Sequence, residues 1–99
     1  MEKYYLIIRS KFFGPLKDLI GKSRLVMEVP PDITLLKFIH LISKQCEPKF
    51  LNKILMKNGS LQSNIKMLVN GRNIVHINHL ETELKNNDLV AFFHIAGGG

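Results

Sequence analysis

The chain has 99 residues, 45% of them hydrophobic and 22% charged, with a mean hydropathy of +0.05. That is one domain's length and a globule's composition, which excludes a long second domain and an intrinsically disordered chain. The 14 Lys and Arg against 8 Asp and Glu give a formal charge of +6, but without the basic run interleaved with aromatics that marks dedicated nucleic-acid binding.

Residues 3–13 read as a first strand, with Tyr4, Leu6, Ile8 and Phe12 on the core parity and Ser10 the polar exception. Tyr5, Ile7, Arg9, Lys11 and Phe13 take the half-exposed parity. Gly14-Pro15 breaks that strand, and Leu16 to Gly21 predicts a short helical turn closed by glycine. Arg24 to Val29 predicts a second strand, with Leu25, Met27 and Val29 inward. Pro30-Pro31 stops it.

A helix follows, capped by Asp32 or Thr34. Leu35, Phe38, Ile39, Leu41, Ile42 and Cys46 form its apolar stripe, while Lys37, His40, Ser43 and Lys44 fall on the other side. On that stripe Cys46 reads as a buried structural thiol. Phe50 to Leu55 predicts a further helical turn, and Lys57-Asn58-Gly59-Ser60 a loop.

Ile65–Val69 and Arg72–Ile77, joined by Asn70-Gly71, predict a type I′ hairpin, because both central positions take positive φ. Leu80 to Asn86 reads as a polar connector, Asn87-Asp88 as a turn, and Leu89 to Ile95 as the last strand. The expected fold class is α+β, a ubiquitin-like β-grasp: a mixed sheet with one main helix across it and the first and last strands parallel in the middle. The expected organisation is a domain over 1–95 and a flexible glycine tail over 96–99.

No apolar run is long enough to span a bilayer, and no cleavage-site pattern follows Tyr4 to Ile8. With Cys46 as the lone cysteine, a reducing cytoplasm is the expected compartment. The histidines have no metal-ligand spacing, so no metal site is expected. A chain this short predicts a carrier, binding module or subunit before it predicts a lone enzyme.

Ala96-Gly97-Gly98-Gly99 is the informative segment. Glycines have no Cβ, so a partner can close around them, and four extended residues reach about 13–14 Å. A terminal carboxylate is a poor electrophile until converted to an acyl-adenylate. This sequence has no phosphate-binding loop, so ATP is expected to be used by a separate activating enzyme, with no cofactor bound here.

The stretch Phe12-Phe13-Gly14-Pro15-Leu16-Lys17-Asp18-Leu19-Ile20-Gly21 resembles the opening of the MoaD-type small subunit of molybdopterin synthase. Leu84 to Gly98 resembles that family's closing segment, and Val69-Asn70-Gly71-Arg72 also fits. The resemblance spans nearly the whole chain in order and places it in the MoaD/ThiS superfamily of sulfur carriers. It implies that the terminal glycine, Gly99 or Gly98, is adenylated and becomes a thiocarboxylate that donates sulfur in molybdenum cofactor biosynthesis.

The implied partners are a MoaE-type large catalytic subunit, a MoeB-type adenylyltransferase and a sulfur donor, with no membrane and no nucleic acid. Gly97, Ala96, Ile95 and Phe93 would meet those partners. Strand parity adds Phe13 as the other half of an apolar patch, with Arg9 and Lys11 as a basic rim. A second reading has the same activation serve a protein modifier or a tRNA-thiolation donor of the ubiquitin-related modifier type. A third is a β-grasp interaction module whose glycines have no chemistry.

Overall fold

The first strand, β1 (Leu6–Phe12), turns Ile8, Ser10 and Phe12 inward and Arg9 to solvent, as its alternation requires. It pairs antiparallel with β2 (Arg24–Val29), in the register Arg9 to Val26 and Lys11 to Arg24. The computed structural model describes residues 4–95, and these form one five-stranded sheet in the order β2-β1-β5-β3-β4. The remaining members are β3 (Ile65–Val69), β4 (Arg72–Asn73) and β5 (Leu89–His94), with β2 and β4 at the edges. The central pair β1 and β5 is parallel, and β5 pairs antiparallel with β3. This is the β-grasp order that the sequence predicts.

Helix α1 (Pro15–Ile20) starts on a proline at its first turn and stops at Gly21, whose φ of 88° supplies the left-handed cap. Helix α2 (Leu35–Gln45) is capped by Thr34, whose hydroxyl accepts from the Lys37 amide; Asp32 lies before the cap at φ 64°. Leu35, Phe38, Ile39 and Ile42 are fully buried against the sheet, and α3 (Phe50–Ile54) adds Phe50 and Ile54. At the centre the rings of Phe12 and Phe92 stack at 5.3 Å, and Phe50 meets both edge-on.

Several expectations are corrected. Cys46 is exposed, because α2 ends at Gln45 and the following turn carries the thiol off the apolar stripe. Ser43, expected on the solvent side, is buried. Its hydroxyl donates to the Pro48 carbonyl at 2.8 Å and accepts from the Leu51 amide at 3.3 Å, bridging α2 to α3. The first strand starts at Leu6, leaving Tyr4 67% exposed.

The Asn70-Gly71 turn has positive φ at both positions, as a type I′ hairpin needs. Its second arm is only Arg72–Asn73, after which the Asn73 side chain caps a 3₁₀ turn over Ile74–His76. The connector over 80–86 is less polar than expected: Leu84 and Thr82 are buried, and their backbone pairs with Ile33 and Leu35.

Candidate functional site

The parallel pairing of β1 with β5 brings the carboxyl ends of both strands to one end of the sheet. There the Phe13 amide donates to the Phe92 carbonyl at 3.2 Å, and the Ile95 amide to the Asn64 carbonyl at 2.7 Å. β5 is therefore held by β1 as far as Phe92, and on the β3 side the bonding continues to Ile95. The expected tail residues Ala96, Gly97, Gly98 and Gly99 lie outside the described residues.

At this end the rings of Phe13 and Phe93 stack on the outer face, 4.4 Å apart and within 3° of parallel. Residue parity puts them on the side of the sheet opposite Phe12 and Phe92, so stacked aromatic pairs clamp the same two strands on both faces. Phe13 is 40% exposed and Ile95 43%. An apolar surface of this kind, left uncovered beside the chain exit, has the character of a docking centre rather than a core.

The surrounding charge is one-sided. Arg9, Lys11, Arg24 and Lys66 point from the outer face, against Glu28 as the carboxylate on the described strands of that face. The Arg9 guanidinium is partly committed: it donates to the Asn87 carbonyl at 2.8 and 3.3 Å, holding the turn that enters β5. Lys11 is half-buried and lines a pocket with Lys17, Arg24 and Ser23 beside Phe13. The arrangement suits a partner with an acidic rim around an apolar centre.

Sequence parity did not single out Val26, 64% exposed on the β2 edge, or Lys66, which pairs opposite Phe93. The signal was present in the alternation of β2 and β3, but only the pairing register, β3 with β5 for Lys66 and β2 with β1 and then β5 for Val26, shows that these positions share a face with Phe93. His94, at the end of β5, lies with its Nε2 3.1 Å from the Asn64 side-chain nitrogen. No group of three or more His, Cys, Asp or Glu that would hold a metal occurs among the described residues. None of their helices is long and apolar enough to cross a membrane.

The model of the ThiS family matches residues 10–99. The chain belongs to the ThiS family of ubiquitin-like sulfur carriers. This ThiS-family chain is 27% identical over 92 residues to small archaeal modifier protein 3 of Haloferax volcanii, covering 93% of this chain and 98% of the relative. It is 39% identical over 67 residues to a provisionally assigned sulfur carrier protein of Archaeoglobus fulgidus, covering 68% of this chain and 75% of that one.

Solved structures share the fold. Small archaeal modifier protein 1 of H. volcanii superposes with a TM-score of 0.79 at 20% identity, over 92% of this chain and 99% of the other. Urm1 of Trypanosoma brucei gives 0.78 at 19%, over 99% and 100%. A Pyrococcus furiosus protein provisionally named molybdopterin converting factor subunit 1 gives 0.74 at 22%, over 92% and 99%.

Proposed function

We propose that this chain is a ubiquitin-like modifier and sulfur donor of the kind represented by the small archaeal modifiers and Urm1. The observation that carries the reading is its end-to-end similarity to small archaeal modifier protein 3. The family match also extends through the glycines to residue 99.

In this reading a separate activating enzyme joins the terminal carboxylate to AMP from ATP, releasing pyrophosphate. A sulfide-level sulfur donor then attacks the acyl carbon, AMP leaves, and a thiocarboxylate remains. A lysine amine attacking the same acyl carbon instead gives an isopeptide bond. The body's part is binding and orientation. The Phe13–Phe93 stack and its basic surround seat the partner, and β5, bonded to β1 and β3, aims the chain into it.

A second reading is supported by the opening and closing segments and by the fold of the P. furiosus protein. The chain would then be the small subunit of a molybdopterin synthase, working with a MoaE-type large subunit and a MoeB-type activator.

Incubation with its activating enzyme, ATP and sulfide, followed by intact-mass spectrometry, tests both readings. Exchange of one oxygen for sulfur at the C-terminus is expected, and an unchanged mass overturns both. Isopeptides to lysine or thiolated tRNA in cells then support the modifier reading. A stable complex with a molybdopterin-type large subunit, without conjugates, supports the other.

A further inference from the structure

A second surface lies away from the outer face and shares none of its residues. One flank of α2 and the segment from Pro30 to Ile33 enclose an open groove of about 310 Å³. Its floor is apolar, with Pro30, Pro31, Ile33 and Leu41; its rim carries Lys37, His40 and Lys44, and Asp32 is the single carboxylate lining it. Lys37, His40, Leu41 and Lys44 follow the spacing i, i+3, i+4, i+7, so they form one stripe along the helix. Among the described residues the only ion pair joins Lys85 to Glu83, which leaves the rim cations without carboxylate partners there.

The walls are fixed before any ligand arrives. Two prolines set their own φ, the Leu84 amide donates to the Ile33 carbonyl at 2.9 Å, and the Leu35 amide donates to the Thr82 carbonyl at 2.9 Å. A preformed groove loses little entropy on binding. Lys37 and Lys44 sit about 10 Å apart along the helix axis, the span of about three residues of extended chain.

We propose that this groove docks an extended acidic segment of a partner protein. One apolar side chain rests on Leu41 and the prolines, and carboxylates about three residues apart meet Lys37 and Lys44. The site is independent of the tail chemistry and of the outer face, so the domain holds one protein here while its C-terminus serves another.

The test uses the full chain and a random dodecapeptide phage library, counter-selected on the double variant Lys37→Glu, Lys44→Glu. Enriched peptides with acidic residues three apart around an apolar one are expected. A synthetic copy should shift the amide resonances of Lys37, His40, Leu41 and Lys44 and leave Phe93 unmoved. The charge-reversed variant should bind that peptide at least tenfold more weakly.

Lys37→Gln, Lys44→Gln should also weaken binding and serves if charge reversal disturbs folding, as judged by the dispersion of the same spectrum. No enrichment, a consensus without acidic residues, shifts centred on Phe13 and Phe93, or concentration-dependent self-association through the groove would each overturn the proposal. Thiocarboxylate formation by either variant should equal wild type, which keeps this result separate from the function proposed above.

Discussion

The Asn70 side-chain amide donates to Oδ1 of Asp88 at 2.8 Å, tying the tip of the β3–β4 hairpin to the corner that opens β5. Oδ2 of Asp88 accepts from the Lys85 amide at 2.7 Å, and Oδ1 of Asn70 accepts from the Leu89 amide at 2.9 Å. Asp88 is 9% exposed, so its carboxylate leaves water to make these bonds. Asp88→Ala removes the charged acceptor of both these bonds and should cost about 1–2 kcal/mol, read as a lower midpoint in urea unfolding.

Ser10 presents the opposite case. It is 1% exposed on the core side of β1, and its hydroxyl has no hydrogen-bond partner among the described residues. Ser10→Ala removes an unsatisfied polar atom and little volume. The expected outcome is equal or higher stability, by up to about 1 kcal/mol, in the same unfolding assay.

Phe13 is predicted to matter more for binding than for folding. Phe13→Ala gives up a stacked pair worth about 0.5–1.5 kcal/mol beyond its area. If the outer face seats the activating enzyme, the same change costs about 2 kcal/mol or more of binding, roughly a thirtyfold rise in Kd by titration calorimetry. An unchanged Kd in a folded variant would move the docking surface elsewhere.

Removal of Gly98 and Gly99 should abolish the oxygen-to-sulfur exchange in the activation assay. Removal of Gly99 alone separates the two candidate termini. Retained exchange identifies Gly98 as competent, and lost exchange assigns the chemistry to Gly99.

Much of the fold could be read from local rules. Period-two alternation gave the inward set of β2, proline and glycine marked the ends of α1 and β2, and Asn70-Gly71 located the hairpin. What failed were positions decided by distant partners. Ser43 is polar and lies beside the apolar stripe, but the Pro48 carbonyl ahead of α3 and the Leu51 amide within it supply the partners that its hydroxyl needs. Cys46 continues the helical spacing on paper, yet the chain leaves the helix one residue earlier. The second hairpin arm has the apolar residues of a strand, but Asn73 caps the 3₁₀ turn that follows it.

The Phe13–Phe93 patch was legible from two sources, the outward parity of Phe13 in the first strand and the resemblance of the closing segment for Phe93. Their parallel stacking needed the register of β1 against β5. Val26 and Lys66 escaped notice for the same reason: parity assigns a face within a strand, and only the pairing order says which strands adjoin.

The central position of β5 also has a mechanical consequence. A pull on the chain beyond Ile95 acts along a strand bonded to β1 on one side and β3 on the other. Such tension loads both ladders in shear, so their bonds must yield together and not one by one from an edge. A partner can therefore draw the terminus taut inside itself without unzipping the domain that delivers it.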